Sequence, residues 1–251
     1  MRWSVVAAAA MPRVASVAPN VARRPHSPHP SSCARCWNSR RFSVAEAIKV
    51  GMALVDYDPT WFEEPTDHMK IDATAHVAKQ LPIPVSTGES FTTTHQFAEL
   101  LAHNAVHIIQ PEPGNMGGIW KTRQVCAMAD AHYAVVAPHN AQGPIATATC
   151  IQIGTSCPNL LIQEIFDEFN VDWERELVDH PAEVIDGRIP VSDRPGLGID
   201  LNWAEIDKHP YEVSNFLPLF AVGWERREGA KNEAPAGFAA VPAADQDAGP
   251  V

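Results

Sequence analysis

Apolar residues recur along this chain with two periods, and the periods alternate. After Ser43, Val44, Ile48, Met52 and Val55 return every three or four residues, the spacing that places side chains on one helix face. Ser43 stands at an N-cap position and Glu46, three residues on, completes a capping box, so the spacing predicts a helix over 43–57. The next apolar group is short: "TWFEEP" predicts a strand over 60–64 stopped by Pro65. The pattern continues with a helix near 70–80, a strand at 83–89 ("IPVSTGE"), a helix near 94–102 and a strand at 105–111 ("AVHIIQP"). A helix over about 117–131, a strand at 133–139 ("YAVVAPH"), a helix over about 143–154 and a strand at 159–165 ("NLLIQEI") complete it. Strands separated by helices predict an α/β fold of parallel strands, either a barrel or a doubly wound sheet.

The two ends depart from this pattern. Residues 1–42 hold five prolines and an alanine run without a strand or helix period. They are rich in arginine and free of acids, the composition of a transit peptide, but the plainer expectation is a disordered or unrelated N-terminal extension. From 228 onward, "EGAKNEAPAGFAAVPAADQDAGPV" has the composition of a disordered tail. The organised part is expected to span 43–227.

Charge divides the chain at the same place. Residues 1–45 carry seven arginines and no acid, whereas the remainder holds 12 basic against 30 acidic residues. An acidic body argues against nucleic-acid binding by phosphate neutralisation. No apolar run reaches the roughly 18 residues of a membrane span, which leaves a cytoplasmic protein as the expectation. The five cysteines, at 33, 36, 126, 150 and 157, are odd in number and scattered, so no disulfide framework is expected. Cys126 and Cys150 lie in apolar helical patterns and read as buried free thiols. Cys33 and Cys36 form a lone CxxC without the second pair that a zinc site needs.

The strand ends carry the candidate chemistry. Glu63, Glu89, Glu112, His139 and Glu164 follow one another at intervals of 26, 23, 27 and 25 residues. One βα unit of a barrel has about that length, and the C-terminal strand ends of a barrel surround one mouth. A single acid there is usually a solvated loop residue; five polar residues in phase shift that balance. Glu63 and Glu89, on neighbouring strands, suit a hard divalent cation such as Mg²⁺. His139 suits acid–base work, although alone it would read as a hydrogen-bonded core histidine. Trp61 and Glu63 share one strand face, Phe62 and Glu64 the other. "GNMGGIW" at 114–120 is neither GxGxxG nor a Walker loop, so its glycines read as a turn into a helix.

"WFEEP", "VSTGES", "IIQPEPGNMGGI", "APHNAQGPIA" and "IQE" occur in the order seen in the enolase superfamily. More narrowly they resemble its mandelate racemase/muconate lactonizing branch, nearest to sugar-acid dehydratases related to galactonate dehydratase. "RPGLGIDLN" at 194–202 is similar to the closing segment of that family. The resemblance covers about 42–227. It implies a modified (β/α)₇β barrel with an α+β capping domain, in which Mg²⁺ stabilises an enediolate formed by removing a proton α to a carboxylate. It carries a metal-ligand role to Glu63 and Glu89, and the His of a His–acid dyad to His139. Glu164 receives a hydrogen-bonding or electrophilic role at the substrate carboxylate.

Three departures go with the resemblance. The dyad's usual Asp is Glu112, one methylene longer, which implies a shifted backbone or rotamer. The family's first metal ligand, an Asp one strand before Glu63, falls at Trp37, which cannot ligate Mg²⁺, and a histidine found two residues on in some dehydratases is Ser39. The capping domain and the Lys-x-Lys strand have no counterpart. The expected architecture is therefore a partial TIM-like barrel, about the last five strands, with the capping domain absent. The expected function is a Mg²⁺-dependent acid-sugar dehydratase acting on an aldonate-like small molecule, with room for a homo-oligomer. The alternatives are a non-catalytic truncated remnant, or a racemase or cycloisomerase of the same superfamily.

Overall fold

The structure, a computed structural model, describes residues 4–9, 42–167 and 171–211. Expectations placed on Cys33, Cys36, Trp37, Ser39 and the tail from 228 lie outside the described residues.

The first element is a strand, β1 (Ser4–Ala9). The alternating series follows: α1 (Val44–Leu54), β2 (Phe62–Glu63), α2 (Ile71–Gln80), β3 (Val85–Thr87), α3 (Thr94–Ala102) and β4 (Ile108–Ile109). It continues with α4 (Ile119–Ala131), β5 (Val135–Val136), α5 (Pro144–Thr155) and β6 (Gln163–Ile165). A short helix α6 (Asp172–Arg175), a strand β7 (Arg188–Pro190) and a last turn of helix α7 (Trp203–Ile206) close it.

Local chemistry accounts for the helix starts. Ser43 and Glu46 form the capping box expected of α1, each side chain satisfying a backbone donor at the other's position. Thr93 and Gln96 do the same for α3. Pro144 opens α5, where its missing N–H costs nothing.

β2, β3, β4 and β5 form a parallel sheet in chain order, Phe62 opposite Val85, Ser86 opposite Ile108 and Ile108 opposite Val135. The ladder extends past β5 through a parallel bridge from Val136 to Leu160, in the segment that runs into β6. Alternation along the strands sorts their side chains. Phe62, Val85, Ile109 and Val136 join Phe97, Leu100, Val125 and Ile153 in the main core under the helices. Trp61, Ile108 and Ala137 form a second cluster with Val135 and Ile162 on the opposite face. The helices make a row, each of α1 to α5 packing on the next.

The parallel α/β reading holds. Residues 1–42 were expected to be a disordered or unrelated extension; within them Ser4–Ala9 pairs parallel to β6 and antiparallel to β7. After Ser4 the strand is an unbroken apolar run, "VVAAA", which does not by period distinguish a strand from a buried helix. The segment after β6 folds back as well. Arg194 forks between Asp179 and Asp200 at 2.7 Å each, and Asp179 also accepts the Asp200 N–H at 2.7 Å.

Candidate active site

The C-terminal ends of β2 to β6 deliver their polar residues to one place. Glu112 follows β4 at the head of a turn and is only 1% exposed. Its Oε1 accepts the Gly114 N–H at 3.2 Å, and its Oε2 lies 2.9 Å from His139 Nδ1. The extra methylene of Glu relative to Asp is thus accommodated: one carboxylate oxygen is anchored by backbone and the other reaches the ring. His139 Nε2 points the other way, 3.4 Å from Glu89 Oε2 and 3.9 Å from Glu164 Oε2.

Glu89 reaches this position through Gly88. Gly88 has φ +133°, a conformation open to glycine, and an added Cβ would lie 2.7 Å from Phe97 Cε1. Asn115 Nδ2 donates to the Glu89 carbonyl at 2.8 Å. Glu164 sits in β6, where its Oε2 accepts the Asn140 N–H at 2.8 Å. Glu63 closes the group at the β2 end. Its Oε2 accepts from Trp61 Nε1 at 3.0 Å and from Gln110 Nε2 at 2.7 Å. Glu64 turns away with φ +41° and accepts the Thr87 hydroxyl at 3.0 Å, buried at the end of β3.

Burial by itself would lower the pKa of His139. The hydrogen bond to Glu112, together with the charges of Glu164, Glu89 and Glu112, outweighs it and raises the ring to about 9. These carboxylates thus favour the cationic imidazole at neutral pH, which carries an N–H on each ring nitrogen. Glu164 is pushed up from the usual carboxylate range, first by desolvation and further by Glu63 and Glu112, against the opposing pull of His139 and the Asn140 N–H.

Four of the five residues expected from the sequence, Glu89, Glu112, His139 and Glu164, meet directly. Glu63 joins them through its charge on Glu164 and through Gln110. Sequence reasoning missed the supporting residues. Gln110 shares a strand face with Glu112 two residues on, a signal present in "IIQPE". Asn140 follows His139, and its Nδ2 donates to Thr147 Oγ1 at 2.8 Å. Thr147 in turn donates to Asp167 Oδ1 at 2.7 Å. All three are buried. Only fold register brings them together.

A hard cation asks for several oxygen ligands at once. Glu63 Oε2 is already engaged by two N–H donors, and Glu89 lies against His139. Among the described residues, no group of three His, Cys, Asp or Glu is disposed to hold a metal ion. The described residues thus offer carboxylates but not a finished Mg²⁺ site.

Parallel strands whose ends gather a partly buried histidine, its buried Glu112 partner and further carboxylates define an α/β protein with a cluster of titratable side chains at its strand ends. Residues 37–205 match the model of the family described as enolase C-terminal domain-like, and the chain belongs to that family. It is similar to a D-xylonate dehydratase of Haloferax volcanii, 30% identical over 68% of this chain and 41% of that protein. It is also similar to a D-gluconate/D-galactonate dehydratase of Picrophilus torridus, 32% identical over 68% of this chain and 44% of that one. A mandelate racemase/muconate lactonizing enzyme from Jannaschia sp. CCS1 superposes with a TM-score of 0.65 at 36% identity, over 69% of this chain and 44% of that chain. The chain spans less than half the length of these relatives. No helix among the described residues is long and apolar enough to cross a membrane.

Proposed function

We propose that this chain carries a sugar-acid dehydratase site, with His139 as its general acid. The observation that carries this reading is the His139 ring bonded through Nδ1 to buried Glu112, with Nε2 facing Glu89 and Glu164. In the proposed reaction the substrate loses its α-proton to a base, and its β-hydroxyl leaves as water. The proton for that departing hydroxyl comes from His139 Nε2. The enol left behind ketonises to a 2-keto-3-deoxy acid. Glu164, its pKa raised, is suited to donate a hydrogen bond to the substrate carboxylate. A single cationic ring faces an excess of carboxylates, so an anionic substrate would need a cation beside it. Glu63 and Glu89 are the two carboxylates this chain would bring to a Mg²⁺ ion, with further ligands from outside the described residues. The dehydratase relatives support an aldonate-like substrate.

The test is incubation of the purified chain with a panel of aldonic acids and Mg²⁺, with detection of 2-keto-3-deoxy acid. Product from at least one acid, lost in His139→Asn, is the expected result. If no acid yields product, the reading is wrong for this chain.

A further inference from the structure

Two donors from different strands hold the Glu63 carboxylate. Its Oε2 accepts from Trp61 Nε1 at 3.0 Å and from Gln110 Nε2 at 2.7 Å. Trp61 shares the strand face of Glu63, and its ring is anchored in the buried cluster with Ile108 and Ala137. Gln110 comes from further across the sheet. It follows β4, where its N–H bonds the Thr87 carbonyl at 3.0 Å, and it shares a face with Ile108. Ser86 of β3 is in register with Glu63 on one side and with Ile108 on the other. The Gln110–Glu63 bond therefore spans two strand spacings, across the position of a small side chain.

The Gln110 amide is bonded at one end only. The residue is 4% exposed, and its Oε1 is buried without a hydrogen-bond partner. The amide cannot turn over to satisfy that oxygen. A carboxylate only accepts, so Oε1 in the place of Nε2 would face Glu63 Oε2 oxygen to oxygen. A buried carbonyl oxygen without a donor costs free energy. An apolar side chain would pack there without that cost, so the feature Gln110 supplies is the N–H at Glu63. The carboxylate is left asymmetric. Oε2 takes both bonds, whereas Oε1 has no hydrogen-bond partner among the described residues, and Glu63 is half-buried.

We propose that Gln110 is a positioning residue: together with Trp61 it fixes Glu63 Oε2 against the sheet, so that Glu63 presents Oε1 alone to the site. This role rests on the reading of the strand ends as a dehydratase site. A single donor would let the carboxylate swing about its one bond, whereas donors from two strands fix the place of the oxygen they share. Glu63 then meets a cation or a substrate hydroxyl through one oxygen at a set position. A displacement of about 1 Å in such a group costs about 10²-fold in rate.

The Trp61 indole N–H, followed in ¹H–¹⁵N spectra of the full chain, reports whether Glu63 keeps its place. Trp61→Phe assigns the signal among those of the seven tryptophans, and Glu63→Ala sets its unbonded position. Gln110→Met removes the N–H and the unpaired oxygen together. The expected result is that it moves the indole signal most of the way to the unbonded position, while the urea midpoint stays level or rises. Gln110→Asn, whose amide is drawn back by one methylene, should move the signal the same way. With an aldonic acid that the unmutated chain turns over, kcat/KM of Gln110→Met should fall about 10²-fold. An indole signal that stays in place, or moves away from the unbonded position, shows that Trp61 holds Glu63 unaided and overturns the proposal. A fall in the urea midpoint or a failure to fold marks Gln110 as packing and overturns it as well. If the unmutated chain forms no keto acid, the dehydratase reading fails, and the indole signal still decides whether Gln110 holds Glu63.

Discussion

Glu112 Oε2 lies 2.9 Å from His139 Nδ1, and this part-buried contact helps hold the proton on the ring. Replacing Glu112 with Gln keeps the shape and removes the charge. The pKa of His139 should fall from about 9 by at least one unit, because burial is then opposed only by Glu89 and Glu164. NMR titration of the His139 ring measures the shift. If His139 is the general acid, turnover at pH 8 should drop by about 10²-fold or more. An unchanged titration midpoint would show that Glu112 does not hold the proton in place.

The same contact makes stability depend on pH. The pKa of His139 is higher in the folded chain than the ordinary 6.5, so the folded state binds the proton more tightly. Its contribution is complete below about pH 6.5 and is lost as pH rises through about 9. The rise corresponds to at most about 3 kcal/mol. Urea midpoints at pH 6, 8 and 10 should decline across that window, and the decline should flatten in His139→Gln. A slope identical in both proteins would assign the loss to other groups.

The helices were the most legible part of this fold. Val44, Ile48 and Met52 announce α1 by period, and Ser43 with Glu46 fixes its start. Strand positions were legible but their extents were not. The seven residues expected at 83–89 pair only over Val85–Thr87, because the chain leaves the ladder at Gly88 to aim Glu89. β1 escaped notice because an apolar run without alternation does not by period distinguish a strand from a buried helix. The phase of the strand ends singled out Glu63, Glu89, Glu112, His139 and Glu164, and Glu89, Glu112 and Glu164 lie around His139. Thr147 was not found that way. Its bonds to Asn140 and Asp167 join α5, the β5 end and the segment beyond β6, and no spacing along the chain encodes that meeting.

Thr147 offers a direct test of that support. Its hydroxyl accepts from Asn140 Nδ2 and donates to Asp167 Oδ1, both buried. Thr147→Val keeps the volume and leaves two buried polar atoms without this partner, which should cost about 2–4 kcal/mol. Thr147→Ser should cost under about 1 kcal/mol, since the hydroxyl remains. Asp167 already has its pKa raised, foremost by desolvation, and losing the Thr147 donor should raise it further. Urea unfolding of both variants checks the difference. Equal midpoints for Val and Ser would show that the hydroxyl contributes little.

Gly88 links the hydrophobic core to the position of Glu89. Its φ of +133° disfavours any L side chain, and a Cβ there would lie 2.7 Å from Phe97 Cε1 and 3.3 Å from the Gln110 nitrogen. Phe97 is fully buried and packs edge-on against Phe91 at 5.1 Å between ring centroids, so it has little room to yield. Gly88→Ala should therefore destabilise the chain by about 2 kcal/mol or more, combining backbone strain with overpacking. Glu89 must also move, because the residue before it cannot keep its conformation without strain. With Glu89 drawn away from His139 Nε2, the ring loses one of the charges that raise its pKa, and its titration midpoint should fall with stability. Pairing urea unfolding with the His139 titration separates the two effects. Loss of stability with an unmoved midpoint would mean that Glu89 keeps its place without Gly88.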